Sequence, residues 1–345
     1  MIEPDAADRG AIRGWVREGE TRVAVDAAGM RLDRYLAARF TYRSRTQWGA
    51  LIRCGRIRVN QQSVKPACVL RAGDRIGYVP LQRAEPPIDR RIALLYVDEA
   101  VVVVAKSGNL PLHPSGRYFR HTLLHLLLDT HPEWGRLHVV HRLDRETSGV
   151  VVFGRSRDDT ARLASQFRSR RVRKEYLAIV EGRPESERFV IDLPLGSARD
   201  SQIRKAVAVR EDGVTARTMI HVRHRGQDWA LVEAVPETGR LHQIRVHLRA
   251  VGLPILGDKV YGQSERFFLK FVAGEALTAQ ERCRLGLARQ ALHAYRLALR
   301  HPRSGQPIAW RAPLPEDLAA ALRERGCDPA LWAAGEASQR GPQAS

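Results

Sequence analysis

The residues best suited to chemistry lie at positions 141–149, where the sequence reads HRLDRETSG. Here a single carboxylate, Asp144, stands between two arginines, on what its neighbours predict to be a turn. The mainly apolar runs 137–140 and 150–153 flank it and are typical of short strands. A carboxylate at such a junction is placed to act on a large substrate that is brought to it. From these residues alone, the alternative is an Asp that caps the turn through the Thr or Ser that follows.

The net charge indicates what that large substrate could be. The 345-residue chain carries 57 Lys and Arg against 38 Asp and Glu, a formal net charge of +19. Most of the basic residues are arginines, which bind phosphate in a bidentate manner and stack on bases. Such an excess favours a polyanionic partner, because basic side chains on phosphates release condensed counterions. A GC-rich genome also raises the arginine content, so the charge by itself does not prove binding to nucleic acid.

Several other classes of protein are not indicated. The four cysteines form no C-x-x-C pair, and no histidines have the H-E-x-x-H spacing of a zinc site. The first residues lack a basic and then apolar signal region, and no apolar run approaches the ~18 residues of a membrane span. We therefore expect a cytoplasmic protein without a metal ion and without a membrane partner.

The elements that must position Asp144 fall into a small basic unit and a larger one. Residues 1–20 are polar and predict a poorly ordered tail. Residues 21–80 combine two helical patterns with short strand patterns at 57–60 and 75–79. This unit contains 12 basic residues against three acidic ones, so it holds +9 of the total charge.

Residues 21–80 resemble the S4-type RNA-binding domain, which was first seen in a small-subunit ribosomal protein. The resemblance rests on strings in one order: MRLDRYL at 30–36, SRT at 44–46, GRIRVN at 55–60, VKP at 64–66 and GDRI at 73–76. At Gln61 the domain usually has glycine, so we expect an altered turn there. The resemblance implies an RNA-facing surface formed by Arg31, Arg34, Arg43, Arg45 and Lys65.

The pattern changes after a proline-containing linker at 81–91. Strands are predicted at 92–97, 101–105, 150–153, 176–180 and 229–234, and helices at 122–128 and 159–167. Strands outnumber helices and alternate with them irregularly up to residue 325. This favours an α+β domain with a mixed, mostly antiparallel sheet and flanking helices over a doubly wound parallel sheet. A polar C-terminal tail is expected at 326–345.

The string around Asp144, H-R-L-D-x-x-T-S-G, resembles the active-site motif of the RluA-type pseudouridine synthases. Further strings resemble that family in the same order, at 95–99 with 103–106, 171–176, 237–248 and 254–262. The resemblance runs from about residue 90 to about 315. Five motifs in one order are far more specific than one. They imply an isomerase that converts uridine in RNA to pseudouridine.

In the implied reaction the bond from ribose to the uracil nitrogen breaks, the base turns, and its carbon five bonds to the sugar. No redox change occurs and no atom is lost, so this chemistry demands neither a cofactor nor a metal. It demands one carboxylate at the sugar–base junction, the role that the resemblance gives Asp144. The carboxylate could attack the sugar, attack the base, or remove a sugar proton, and the sequence does not choose among these.

Two further residues receive catalytic roles by resemblance. Arg245 matches the basic residue that pairs with the carboxylate, and such a cation lowers the carboxylate pKa while burial under a base raises it. Tyr176 matches the tyrosine on which the target uracil stacks, since an aromatic face holds any base. Taken alone, Arg245 could be a solvent-facing strand residue and Tyr176 a part of the core.

A uridine in a helix or a stacked loop must be flipped out to reach such a pocket. By resemblance Arg142 fills the vacated space, because its planar guanidinium stacks on bases. We expect His141 to hold the loop by a backbone hydrogen bond. Five nearby cations, which we call the 168–174 patch, could guide phosphates to the pocket or form a solvated helix end. They are Arg168, Arg170, Arg171, Arg173 and Lys174.

The cues to the substrate disagree. The string HPSGRY at 113–118 is more similar to the branch with eukaryotic tRNA uridine enzymes, whereas an attached S4-type domain is frequent in bacterial enzymes for large-subunit rRNA. We expect large-subunit rRNA, with tRNA as the alternative. Two rivals come from other classes. A non-catalytic RNA-binding ribosome-assembly factor needs neither Asp144 nor Tyr176, and a hydrolase would release the base.

Overall fold

The computed structural model describes residues 20–40, 44–78, 85–115 and 118–331. The chain forms two compact units, one ending at Ala84 and the other beginning at Glu85. This division falls inside the stretch for which a linker is predicted. Some expected features lie outside the described residues, namely the tail up to residue 19, Arg43, and the end of the chain from residue 332.

The N-terminal unit packs two helices against a four-stranded antiparallel sheet. Helix α1 (Leu32–Arg39) and helix α2 (Arg45–Arg53) fit the two helical patterns, and a capping box of Ser44 and Gln47 begins α2. The strands are β1 (Thr21–Arg22), β2 (Ile57–Val59), β3 (Gln62–Ser63) and β4 (Arg75–Tyr78), in the order β1-β4-β2-β3. Buried side chains from helices and sheet form one core: Leu32, Leu36, Trp48, Ile52, Ile57 and Ile76.

The turn between β2 and β3 forms although Gln61 stands where glycine was expected. Asn60 and Gln61 both have left-handed φ angles, 49° and 68°, and join the strands as a two-residue hairpin turn. The Asn60 side chain braces the turn, because it donates to Asp74 Oδ1 at 2.8 Å and accepts from the Arg75 N–H at 2.9 Å. The hairpin therefore closes without glycine, at the cost of a glutamine in the left-handed region.

The C-terminal unit is built on one large sheet. Its strands are β5 (Ile92–Val97), β6 (Val101–Lys106), β7 (His138–Val139), β8 (Ser148–Gly154), β9 (Arg173–Glu181), β10 (Arg188–Asp192), β11 (Leu195–Ser197), β12 (Val207–Val209), β13 (Arg217–Arg225), β14 (Trp229–Pro236), β15 (Leu292–Arg300) and β16 (Pro307–Arg311). Strands β11 and β12 form a separate ribbon. The other ten run β10-β13-β14-β9-β15-β8-β6-β5, with β16 beside β15 and β7 beside β8. Only β8 and β15 pair in parallel among the described strands, which confirms the predicted mixed, mostly antiparallel α+β class.

Helices cover both faces of β6, and the described part of this unit contains six α-helices. They are α3 (Leu123–Thr130), α4 (Arg157–Arg168), α5 (Gln243–Ala250), α6 (Arg266–Ala273), α7 (Ala279–Leu285) and α8 (Glu316–Glu324). In β6, Val102 and Val104 pack in one core with α3, whereas Val101 and Val103 pack in another with α4. Burial on both faces explains the uninterrupted valine runs. Within the described ranges, no helix has the length and hydropathy to cross a membrane.

The backbone of Gly149, the last residue of the HRLDRETSG stretch, requires glycine. Its φ is +120°, and a Cβ there would lie 2.2 Å from the carbonyl oxygen of Ala294. Ala294 is the residue of β15 that pairs with Gly149 in the parallel contact between β8 and β15. This close approach brings the segment 141–147 to the end of the central strands, next to β15.

Candidate active site

The segment 141–147 connects β7 to β8, and its backbone is fixed by neighbouring elements. The Arg145 carbonyl accepts hydrogen bonds from the Leu110 N–H and from Lys106 Nζ, both at 3.0 Å. Burial lowers the pKa of Lys106, at the end of β6, well below its ordinary value. Leu143 is buried in the core beneath the segment. Asp144 therefore stands on a loop that is anchored on both sides.

The Thr and Ser of this stretch bind β15 and the residues before it. The Thr147 hydroxyl accepts from Gln290 Nε2 at 2.6 Å, and Ser148 Oγ lies 3.0 Å from His293 Nδ1. Thr147 contacts Asp144 through the backbone, where its N–H donates to the Asp144 carbonyl at 3.2 Å. The alternative in which the Asp144 side chain caps the turn through these hydroxyls is therefore wrong.

The Asp144 carboxylate forms an ion pair with Arg245. Arg245 Nη1 donates to Asp144 Oδ2 at 2.8 Å, across 101 residues of sequence. Arg245 is nearly buried in helix α5, so the alternative of a solvent-facing strand residue is wrong. The Asp144 side chain is 20% exposed. The pair thus fixes the carboxylate and still leaves it within reach of a bound molecule.

Asp258, which no sequence pattern singled out, holds Arg245 from the other side. Arg245 Nε and Nη2 donate to its two carboxylate oxygens at 2.6 and 2.7 Å. Asp258 is fully buried, and its Oδ1 also accepts the N–H groups of Val260 and Tyr261 at 2.9 and 3.0 Å. Burial alone would raise its pKa, but Arg245 and these N–H groups lower it. The only sequence signal for this role was a lone acid in the string at 254–262.

The surroundings keep Asp144 ionised. Burial raises the pKa of this carboxylate, but the charge and the hydrogen bond of Arg245, together with smaller contributions from His242 and Arg142, outweigh burial and lower the pKa below its ordinary value. A nucleophile or a base must carry its charge before it reacts. The site can therefore perform covalent or proton-transfer chemistry on a group placed against Asp144.

A histidine and a tyrosine complete the surroundings of Arg245. His242, just before α5, has its Nε2 3.8 Å from Asp144 Oδ2 and its Nδ1 2.6 Å from the Tyr261 hydroxyl oxygen. The Arg245 guanidinium lies over the Tyr261 ring, 4.8 Å from its centroid. Both residues lie in strings that carry the resemblance, but nothing in their spacing singled them out.

Strand β9 brings Tyr176 and Lys174 to the same region. Burial raises the pKa of the Tyr176 hydroxyl, and the nearby Asp144 charge raises it further. The half-buried Tyr176 ring also packs against two core clusters, so it is partly a core residue. Lys174 Nζ donates to the Thr238 carbonyl at 2.9 Å, and burial together with Arg170 lowers its pKa to about 8.

The remaining residues of this unit differ in exposure. His141 Nε2 accepts from the Val152 N–H at 3.1 Å, which is the backbone hydrogen bond expected for it. Burial, with the charge of Lys174, lowers the His141 pKa to about 4, so the ring is a neutral acceptor. Arg142 and Arg171 are both exposed. Their guanidinium groups are available to a bound polyanion.

In the N-terminal unit, two of the expected RNA-facing residues converge on one acid. Arg31 Nε and Nη2 donate to Asp33 at 3.2 and 3.1 Å, and Arg45 Nε donates to it at 2.9 Å. The hydrogen bond from Arg31 is the main cause that lowers the Asp33 pKa to about 2. Arg34 and Lys65 are exposed. The sequence did not reveal that Arg31 and Arg45 both bind Asp33.

The side chains described do not gather into a metal site. Across residues 20–40, 44–78, 85–115 and 118–331, no group of three or more His, Cys, Asp or Glu residues is arranged to hold a metal ion.

Comparison with known protein families matches both units. Residues 100–250 match the family model described as RNA pseudouridylate synthase, and residues 30–76 match the S4 domain. The Ribosomal large subunit pseudouridine synthase D of Xanthomonas campestris is 38% identical over 307 residues, which cover 86% of this chain and 90% of that protein. The Ribosomal large subunit pseudouridine synthase C of Pasteurella multocida is 32% identical, over 88% of this chain and 93% of that protein.

A solved structure is similar as well. Human RNA Pseudouridylate Synthase Domain Containing 4 superposes with a TM-score of 0.53 at 29% sequence identity. The match covers 68% of this chain and 93% of that one. Sequence and fold comparisons therefore agree on the larger unit.

Proposed function

This chain belongs to the family of RNA pseudouridylate synthases, and on that premise we propose that it converts uridine to pseudouridine in large-subunit ribosomal RNA. Its isomerase activity follows from the family. The choice of RNA is supported by the names of its relatives, which match most of both chains, and by the S4 domain. The observation that carries the proposal is an ionised, partly exposed Asp144 held by Arg245 within the matched residues 100–250.

Asp144 is the reacting group in this proposal. Each route open to it, attack on the sugar, attack on the base or removal of a sugar proton, begins from the ionised carboxylate. The bond from C1′ to N1 breaks, the uracil turns, and C5 bonds to C1′. The proton lost from C5 is balanced by the one gained at N1. Arg245 keeps the carboxylate charged and oriented.

Tyr176 and Arg142 hold the target in the proposed complex. The Tyr176 ring supports the uracil by stacking, which contributes roughly 1–3 kcal/mol per base. The exposed Arg142 guanidinium takes the place of the flipped nucleotide in the RNA stack, which offsets part of the few kcal/mol that flipping costs. His141, fixed to the backbone of Val152, supports Arg142 from the neighbouring position.

Binding of the polyanion is assigned to two sets of cations. In the N-terminal unit these are Arg31, Arg34, Arg43, Arg45 and Lys65, and in the larger unit the 168–174 patch. The N-terminal unit acts as a docking module, which raises the effective concentration of RNA at the reacting carboxylate. We propose a cytoplasmic location, as expected for an enzyme that acts on ribosomal RNA.

The experiment that tests this function is a map of pseudouridine in total RNA. Cells without the protein should lack pseudouridine at one or a few positions of large-subunit rRNA. The wild-type gene should restore those positions, and a gene carrying Asp144→Asn should not. Purified wild-type protein should leave the mass of the RNA unchanged and release no uracil. Lost positions in tRNA would overturn the choice of substrate, and an unchanged map would overturn the function.

The lowered pKa of Lys174 predicts that the affinity for RNA depends on pH. A lysine with a pKa of about 8 loses its charge between pH 7 and pH 9, so its phosphate contact weakens as the pH rises. RNA affinity should fall by about threefold to tenfold over this range, beyond any drift that a protein with arginine at position 174 shows. The measurement is the Kd for substrate RNA at fixed ionic strength, made in an Asp144→Asn background to prevent turnover.

The matched control for this prediction is Lys174→Arg. An arginine stays protonated throughout this range, so its Kd should be nearly flat where that of the lysine rises. Identical pH profiles for the two proteins would show that the charge of residue 174 does not contact RNA.

A further inference from the structure

His242 is held in a conformation that its helix does not require. Its φ of 55° and ψ of 15° place a non-glycine residue in the left-handed region, a strained conformation for a residue with a side chain. It stands at the first boundary of α5, yet its side chain makes no capping hydrogen bond to that helix. The imidazole instead has its hydrogen-bond partner outside α5.

That partner is Tyr261, and the hydrogen bonds around it fix the proton on the imidazole. The Tyr261 hydroxyl oxygen accepts the N–H of Val207 at 2.9 Å. Its hydrogen is then free to point at His242 Nδ1, which lies 2.6 Å away. When Nδ1 accepts, the proton of the neutral imidazole resides on Nε2. We assign this tautomer because, among the described residues, His242 Nδ1 is the one acceptor within reach of the Tyr261 hydroxyl hydrogen.

The Nε2–H group faces the reacting carboxylate without being bound to it. Nε2 lies 3.8 Å from Asp144 Oδ2, which is longer than a hydrogen bond. The His242 side chain is 15% exposed. Burial lowers its pKa to about 4, so at neutral pH the ring is uncharged and does not compete with Arg245 for Asp144. A partly exposed donor thus stands beside the partly exposed carboxylate of Asp144.

We propose that His242 is a further catalytic residue, which donates its Nε2–H to a carbonyl oxygen of the target uracil as the base leaves the ribose. The proposal rests on the proposed function. When the bond from C1′ to N1 breaks, the electron pair goes to the base, and its negative charge spreads to the two carbonyl oxygens. A neutral donor stabilises that charge and gives up no proton. Tyr261 is the positioning residue that keeps Nε2 protonated.

The test compares His242→Gln with His242→Met. The two side chains have similar length and meet the same left-handed strain, but only glutamine carries an N–H donor. His242→Met should lower the single-turnover rate by about 100-fold, as expected for loss of one aimed donor. His242→Gln should recover about tenfold of that loss. The Kd for RNA and the thermal midpoint should be the same for both variants.

A second arm identifies the acceptor and separates chemistry from structure. Substrate RNA carries 2-thiouridine or 4-thiouridine at the target position, because sulfur is a weak acceptor. On the thio substrate in which sulfur replaces the oxygen that His242 contacts, the rate penalty of His242→Met should largely disappear. On the other thio substrate the penalty should persist. Tyr261→Phe, which keeps the aromatic ring under Arg245, should lower the rate by about threefold to tenfold.

The outcomes separate this inference from the proposed function. Equal rates for His242→Gln and His242→Met, or equal penalties on both thio substrates, would overturn the donor role while the enzyme stays a pseudouridine synthase. A wild-type protein that forms no pseudouridine in any RNA would instead overturn the proposed function.

Discussion

Replacing Asp144 by Asn should abolish pseudouridine formation, with the single-turnover rate falling by roughly 10⁴-fold or more. Asparagine has nearly the same shape but carries no charge, so it can neither attack nor take a proton. RNA should bind at least as tightly, because the substitution removes one negative charge from a basic surface. The measurements are the single-turnover rate by chemical mapping of pseudouridine and the Kd for the same RNA.

The stability of this variant is the control. Arg245 keeps both of its hydrogen bonds to Asp258, so no buried charge is left unpaired. The urea midpoint of Asp144→Asn should therefore stay close to that of the wild type. If pseudouridine still formed at more than about a tenth of the wild-type rate, Asp144 would not be the reacting group. If the wild-type protein also formed no pseudouridine, the result would favour the alternative of a non-catalytic ribosome-assembly factor.

The fold was predictable where the chain repeats a simple period. Buried apolar runs at 101–104 and 150–153 identified the central strands β6 and β8, because a strand covered on both faces needs apolar residues throughout. Helix α4 followed from its spacing of apolar residues. Periodicity does not give pairing, however. The parallel contact of β8 with β15 joins residues about 145 positions apart, and only Gly149 hints at it.

The site residues were also predictable where a local pattern marks them, and not where their role depends on a contact with a residue distant in sequence. Asp144, Arg245 and Tyr176 were found because each lies in a string that resembles the family's motifs. Asp258 was not found, because its importance lies in two hydrogen bonds to Arg245 that no local pattern encodes. The orientation of His242 was also hidden, since it depends on a left-handed backbone and on Tyr261. The sequence therefore did not identify the residues that hold Arg245 and His242 in place, namely Asp258 and Tyr261.

Replacing Arg245 by Met should lower both activity and stability. Arg245 pairs with two carboxylates at once, and its loss would leave both Asp144 and the fully buried Asp258 without this cation. Leaving a buried charge unpaired costs about 3–5 kcal/mol. The single-turnover rate should fall by about 10²–10³-fold, because the carboxylate loses its orientation and its pKa rises. Urea unfolding and the single-turnover rate measure the two effects.

The pH dependence should show that the stability loss comes from the carboxylates that the loss of Arg245 leaves unpaired, chiefly the fully buried Asp258. In the wild type its lowered pKa stabilises the fold above the unfolded value of about 3.9, and this stabilisation is lost as the pH falls through the folded pKa. Without Arg245 the buried carboxylate has a raised pKa, so it destabilises the fold increasingly as the pH rises above about 3.9. The difference in urea midpoint between wild type and Arg245→Met should therefore be larger at pH 7 than at pH 4.5.

A double variant separates the two roles of Arg245. Adding Asp258→Asn to Arg245→Met removes the buried charge, so most of the lost stability should return. Activity should not return, because Asp144 still lacks the Nη1 contact that orients it. If the double variant recovered both stability and rate, Arg245 would serve the fold alone. If it recovered neither, the unpaired charge of Asp258 would not be the cause of the lost stability, and the role assigned to the contact between Arg245 and Asp258 would be wrong.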